Sequence, residues 1–417
     1  MRLERLVYDA AELVPGLTPS RAEVAAESEL RQSEKEGREI DQGILCNQLL
    51  ADPESGLHLC HAMLLPREES PEALAKFLRD GSLDLGGARV ERHGKAAGLL
   101  LSNKRFLNSE DNYTQVATEI GADVCILDPQ SKVAVLRGDV VPEGKYAGRR
   151  VFNAGINLTH LYYGKIPFLW FLIRDMGFVN KMTRGLARAD VSPDEVAGDS
   201  IEKIWISAVE TFAIGGGCQI LLATDFNIAA RDAYMTLPAR KEGIIPAMAN
   251  LRLARFVGDR LARQAIMYER RFECDSVEGR MICDEVVSPD DMDAAIDRVA
   301  ERLPGSGVVG AIGNRRALRF SLEGFIEPST RSGRRYARQA EGAEVVAVTL
   351  TTGSETIIAA TAAALITIRP VATPSRRVTA FSPTSTMCAV PLDEMCESAE
   401  GVERGTRGVT RGFPEAG

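Results

Sequence analysis

The sequence predicts an α/β protein with a helical extension ahead of its core. Short apolar runs at 96–102, 132–138, 204–209 and 226–230 alternate with helix-like stretches at 110–120 and 168–186, the pattern of strands covered by helices. A Gly215-Gly216-Gly217 turn joins one such run to a short apolar helix at 218–223. The chain of 417 residues, 45% hydrophobic and 26% charged, is long enough to bury a large core.

Residues 1–85 are of mixed charge, and 24–38 and 72–83 are rich in helix formers, with Pro15, Pro19 and Pro66 as punctuation. They read as an extension that packs on the core or on another subunit. His58, Cys60 and His61 crowd into four residues, a poor geometry for a metal, so a partly buried helix is expected and no metal site. A polar turn at 103–109 follows the strand at 96–102, and Ser109 is the expected N-cap of helix 110–120. Runs 124–127 and 132–138 read as strands, and 151–158 as a strand-to-helix corner. Helices are expected at 250–256, 260–267 and 290–303, the last with Ser288 as cap and Pro289 in its first turn. Its acids Asp290, Asp291, Asp293 and Asp297 form a solvated face rather than a metal site. The core is thus assigned to 86–303 and a C-terminal helical region begins in 304–335. Beyond 336 the composition shifts to Ala, Thr, Ser, Pro and Gly, and 336–417 is expected to be irregular, as a frameshift in a GC-rich coding sequence would produce. Glu355, Gly353 and many threonines argue against a membrane span at 344–368.

A net charge of −8 disfavours a nucleic-acid surface or an anionic membrane as partner. Eight cysteines without paired spacing, and no apolar leader after Met1, fit a reducing cytoplasm.

The glycine turn is the chemical centre. The first N–H groups of a helix lack internal partners and can hold a developing negative charge. No Gly-Lys-Ser/Thr follows, so this is not a phosphate loop, and an oxyanion hole needs a second donor from elsewhere. Taken alone, such a turn is more often plain packing geometry.

In order, residues 102–108, Asn153-Ala154-Gly155-Ile156-Asn157-Leu158, Ile214-Gly-Gly-Gly-Cys-Gln219 and Gly243-Ile-Ile-Pro246 resemble the crotonase (enoyl-CoA hydratase/isomerase) superfamily over 95–303. Glu110, the segment 160–174 and Gln219 resemble its cofactor-independent 3,5-dihydroxyphenylacetyl-CoA dioxygenases of glycopeptide-antibiotic precursor biosynthesis. The resemblance implies a repeated ββα spiral with C-terminal helices, and a homotrimer or hexamer. It implies an oxyanion hole from the N–H groups of Ile156 and Gly216. Arg105 and Leu107 would contact CoA, with Asn153, Ala154 and Gly155 along its adenine end. Glu110 and Arg174 would hold ring hydroxyls, with Gln219 near the reacting carbon. Dioxygen would be a co-substrate, without metal or other cofactor. Hydratases carry glutamates where this chain has Gln219 and Ala239, which disfavours hydration. A hydratase, isomerase or thioesterase is the alternative, and an inactive CoA-thioester-binding member another.

Overall fold

The computed structural model describes residues 1–192, 200–239, 246–304 and 307–323. All of these fall in one compact unit, 1–369. Residues 193–199, 240–245, 305–306 and 324–417 lie outside the described part, and with them most of the Gly243–Pro246 motif and the composition-shifted tail.

Five helices come first: α1 (Leu3–Leu13), α2 (Arg21–Glu27), α3 (Glu39–Ala51), α4 (Pro53–Leu64) and α5 (Ser70–Asp80). The helix expected over 24–38 is instead the short α2 and a single turn at Gln32–Glu34. Ser20 and Glu23 form a capping box that starts α2 early. Glu27 then turns its carboxylate inward to accept from Gly37 N (2.9 Å) and Arg38 N (3.1 Å), folding the chain back. Residues His58, Cys60 and His61 sit in α4, where Cys60 is buried and His61 bonds the Arg188 carbonyl, as expected of a structural segment.

The core strands are β1 (Ser82–Asp84), β2 (Ala88–His93), β3 (Ala96–Leu101), β4 (Val133–Gly138), β5 (Ile204–Val209), β6 (Phe212–Ile214), β7 (Phe226–Ala230), β8 (Tyr234–Thr236), β9 (Phe272–Glu273) and β10 (Glu285–Val287). A seven-stranded sheet runs β1-β2-β3-β4-β5-β7-β10, antiparallel at its first two pairings and parallel from β3 onward. β6, β8 and β9 form a second, small sheet. Every residue of β5 is buried, which is why it reads as a continuous apolar run rather than an alternation. Its Trp205 is among the largest fully buried side chains.

Helix α6 (Asn112–Leu127) covers this sheet. It begins two residues later than expected, because Asp111 rather than Ser109 accepts from Tyr113 N (3.0 Å) and Thr114 N (3.3 Å). It also absorbs 124–127, which reads as a strand. Val124, Cys125 and Ile126 are buried in the last turn of the helix, and a four-residue apolar run cannot distinguish the two states. The stretch 168–186 is α8 (Phe168–Arg174), a π-turn at Asp175–Val179 and α9 (Asn180–Arg184), preceded by the short α7 (Leu158–Tyr162). After the glycine turn comes α10 (Gly216–Leu221). The helices expected at 250–256 and 260–267 form one element, α11 (Ala247–Tyr268), broken at Gly258 by φ 76° and ψ 157°. The C-terminal helix of the core is α12 (Met292–Arg302). Ser288 precedes only a 3-10 turn and makes no capping bond, since Pro289–Asp291 lie outside the α-helix. Asp293 pairs with Arg137 and Asp297 with His93, so those acids serve surface ion pairs. Helix α13 (Val308–Glu323) follows, held to the core by Arg315, Arg316 and Arg319, which converge on the buried Glu202.

Candidate active site

The turn after β3 is built by asparagines. Asn103 N donates to Asn108 Oδ1 (3.1 Å), Asn108 N donates to the Asn103 carbonyl (2.9 Å), and Asn108 Nδ2 donates to the carbonyls of Asp139 and Val151 (2.8 Å each). These bonds hold Leu107 and Asn108 at φ 53° and 56°, a left-handed geometry that side chains disfavour. Leu107 packs on a small apolar cluster of Val141, Val151 and Phe212, whereas Arg105 is exposed with its guanidinium 5.5 Å over the Phe106 ring.

The strand-to-helix corner at 151–158 runs beside the chain leading to α10. Asn153 pairs in parallel with Ala213, with Asn153 N donating to the Phe212 carbonyl and Ile214 N to the Asn153 carbonyl. The same register carries Gly155 and Ile156 alongside Gly215 and Gly216. The approach at Gly155 is close: a Cβ there would lie 2.8 Å from the Ile214 carbonyl oxygen and 3.3 Å from Gly216 N, and its φ is 80°. On the other side, Glu110 N donates to the Gly155 carbonyl and Asn157 N to the Glu110 carbonyl, so the Ile156 N–H faces away from that pairing. Among the described residues nothing accepts from the N–H of Ile156 or of Gly216, the first residue of α10. Ala154 is half-buried between these segments.

Glu110, Arg174 and Gln219, far apart in sequence, meet beside this corner. Arg174 is buried and spends all five N–H donors on the protein. Its Nε and Nη2 hold both Glu110 oxygens (2.5 and 3.0 Å). Nη1 donates to Asp175 Oδ1 (2.7 Å) and Gln219 Oε1 (3.0 Å), and Nη2 also to the Gly216 carbonyl (3.0 Å). Burial works against the guanidinium charge, but Glu110 and Asp175 outweigh it and its pKa is raised. For Asp175 burial dominates over Arg174, and its pKa is raised as well. Since arginine only donates, the Gln219 oxygen must face it, which leaves the amide N–H groups pointing elsewhere. A Cβ at Gly216 would sit 2.3 Å from Glu110 Oε1 and 3.1 Å from Arg174 Nη2, so a side chain there would have to displace this ion pair. Ala239 is buried and inert, and burial pushes the Cys218 thiol up to about 12, so neither supplies acid–base or thiolate chemistry.

Asp175 and Asp111 were not singled out in the sequence, whereas Trp170 lies in the segment 160–174 that carries the resemblance. Asp175 completes the Arg174 shell, on a π-turn that no periodicity announces. Asp111 accepts from Asn103 Nδ2 (3.0 Å) and Asn157 Nδ2 (2.8 Å) and pairs with His160 Nδ1 (3.0 Å), locking the two corners together. Trp170 lines a small cavity against Glu110 and Arg174. The recurrence of Asn at 103, 108, 153 and 157 was the available signal for the first corner. Among the described residues, no group of three His, Cys, Asp or Glu gathers as a ligand set, and no helix is long and apolar enough to cross a membrane.

Residues 175–309 match the family model for enoyl-CoA hydratase/isomerase. Over 350 residues, 83% of this chain and 79% of its relative, the sequence is 43% identical to a (3,5-dihydroxyphenyl)acetyl-CoA 1,2-dioxygenase of Amycolatopsis orientalis. The chain belongs to the crotonase (enoyl-CoA hydratase/isomerase) superfamily. This crotonase is also 26% identical over 216 residues to a carnitinyl-CoA dehydratase of Salmonella typhi, covering 51% of the chain and 70% of that relative. An enoyl-CoA hydratase structure from Mycobacterium smegmatis aligns with 56% of the crotonase and 88% of its own chain, at 18% identity and a TM-score of 0.42.

Proposed function

We propose that this crotonase is a cofactor-independent dioxygenase that converts 3,5-dihydroxyphenylacetyl-CoA and O2 to 3,5-dihydroxyphenylglyoxylate and free CoA, supplying dihydroxyphenylglycine for a non-ribosomal peptide. The observation that carries the reading is the 43% identity to a dioxygenase of that name, over most of both chains. The site's chemistry supports it. Two unpaired backbone N–H groups, at Ile156 and Gly216, suit a thioester oxygen that becomes an enolate, at on the order of 3 kcal/mol per donor. At the two sequence positions where hydratases carry glutamates, this chain has an amide, Gln219, and an alanine, Ala239, instead of the carboxylates that hydration needs.

Removal of an α-proton places the C–H electron pair in the enolate, whose carbon bonds to dioxygen. The terminal peroxide oxygen attacks the thioester carbon and expels CoA thiolate. Loss of the second α-proton then forms the ketone C=O as the O–O bond breaks, giving the α-keto acid, with the two released protons taken up by CoA and the carboxylate. Both oxygens of O2 enter the product, so no reductant is needed. Arg105 and Leu107 would contact CoA, with Asn153, Ala154 and Gly155 beside its adenine end. A trimer or hexamer and a cytoplasmic location complete the proposal.

The test supplies purified protein with 3,5-dihydroxyphenylacetyl-CoA in air and follows oxygen uptake and CoA release. Equal amounts of both, unaffected by chelators, are expected. CoA release without oxygen uptake would instead indicate a thioesterase, and turnover of crotonyl-CoA a hydratase.

A further inference from the structure

Helix α8 carries Arg174 into the site, yet no neighbouring side chain starts it. Its N-cap is Pro167, which has no side-chain acceptor, and the first N–H groups of a helix have no partner within it. The Phe168 N–H instead donates to Glu39 Oε2 (3.1 Å), a buried bond that reaches across 129 residues to α3 in the N-terminal extension. Glu39 is 8% exposed, and the buried Lys35 Nζ stands 3.5 Å from its other oxygen. A carboxylate in such a place is costly without partners. Burial raises its pKa, and Lys35 and the Phe168 N–H act against that rise. The packing around this bond is equally close. A Cβ at Gly43, one turn further along α3, would lie 3.0 Å from Phe168 Cζ. A Cβ at Gly164, just before α8, would lie 2.1 Å from the Leu30 carbonyl oxygen. The extension thus meets the start of α8 through carboxylate, helix backbone and turn, less than about two helical turns ahead of Arg174.

We propose that Glu39 is a positioning residue for the reaction: it fixes the start of α8 and, through that helix, the guanidinium of Arg174. The proposal rests on the dioxygenase reading above for the reaction whose rate it sets. On α6, Gln115 Nε2 donates to the Trp170 carbonyl (2.6 Å), so α8 is held by both α6 and the extension. Arg174 binds Glu110, Gln219 and the Gly216 carbonyl at once, so a shift of α8 disturbs all three together. Misplacement of reacting groups by about 1 Å costs about 10²-fold in rate. Among the described residues, Glu39 bonds to Phe168 and pairs with Lys35, and neither belongs to the corners 102–108 and 153–155 proposed to hold CoA. Its loss is therefore a loss of turnover rather than of thioester affinity.

Full-length wild type, Glu39→Leu, Glu39→Gln and Gly43→Ala are compared with 3,5-dihydroxyphenylacetyl-CoA, following CoA release and oxygen uptake together, and by amide hydrogen exchange over 165–176. Loss of one hydrogen bond to a charged group corresponds to about tenfold in local opening. Glu39→Leu is expected to speed exchange at 168–171 about tenfold and to lower kcat about tenfold, with KM within about twofold. Glu39→Gln, whose amide oxygen still accepts from the Phe168 N–H, is expected to rescue both to within about threefold of wild type. Gly43→Ala, which presses a methyl on the Phe168 ring, is expected to lower kcat about threefold. Faster exchange with kcat unchanged in Glu39→Leu makes Glu39 merely structural and overturns the proposal, as do equal losses in the Leu and Gln variants. Should Glu39→Leu fail to fold, an unchanged kcat in Gly43→Ala overturns it instead. The dioxygenase reading fails separately, through CoA release without oxygen uptake by the wild type, and the same variants then still decide the role of Glu39.

Discussion

Helix α6 and the segment 168–184 are tied together twice, and the two ties differ in their charge balance. Just before α6, Glu110 and Asp175 both pair with Arg174, and Arg252 acts on Asp175 from further off. In the middle of α6, Glu119 and Asp123 share the fully buried Lys181 (2.8 and 2.7 Å), and Glu119 also takes Arg2 (2.6 Å) and Arg67 (3.3 Å) from the N-terminal extension. Ser70 Oγ and Arg67 N complete Asp123. By direct ion pairs to the two acids of each tie, the first has one cation for two carboxylates and the second three, of which Arg67 is shared with Glu69. Burial raises the Asp175 pKa, whereas Lys181, Arg2 and Arg67 overcome burial to hold Glu119 below the usual range. The second cluster fastens the extension to the core. The first fixes Glu110, Gln219 and the Gly216 carbonyl around one guanidinium.

This contrast is open to direct attack. Arg174→Ala should do the most damage, lowering oxygen-consuming turnover by about 10³-fold, since it frees Glu110 and Gln219 and releases the Gly216 carbonyl. Steady-state kinetics that drop less than tenfold would remove Arg174 from the site. Lys181→Met should instead cost about 3–5 kcal/mol of stability by leaving two acids buried, with turnover at low temperature within about twofold of wild type. Denaturant melts and assays on the same sample check this, and a stable but inactive variant would erase the distinction between the ties.

Gly216→Ala, whose methyl would collide with Glu110 Oε1, should lower turnover about 10²-fold with a smaller stability loss than Lys181→Met. The smallest effect is on pH. Glu119 has a depressed folded pKa, so its stabilisation is present above the ordinary value of 4.5 and disappears as pH falls through the lower folded value. Asp123, raised by burial, acts in the opposite sense. Melting temperature should therefore fall less steeply in acid for Glu119→Gln than for wild type, and parallel curves would show that Glu119 is not the coupled group.

Much of the core was legible because its signals are local. β3, β4, β5 and β7 are apolar runs of strand length, and the three glycines mark the tight turn from β6 into α10. The N–H groups of Ile156 and Gly216 needed the superfamily's motif order, since spacing alone left the turn as ordinary packing. What escaped was settled by long-range contact. Residues 124–127 are helical because the covering helix still buries them at that point. Ser109 yields the cap to Asp111, whose second oxygen is claimed by Asn103 and Asn157 from other elements. The full engagement of Arg174 depends on partners from three places in the chain, Glu110, the neighbouring Asp175 and helix α10, which no window of sequence displays.

The two free amides at the corner belong to peptide groups rather than side chains. A codon change can reshape what surrounds them but cannot delete them, short of introducing proline. In the role proposed for them, descendants of such a chain could exchange one acyl guest for another by altering side chains such as Gln219 while these amides are inherited unchanged. A lineage built on this corner is free to explore new reactions without first losing the old hold.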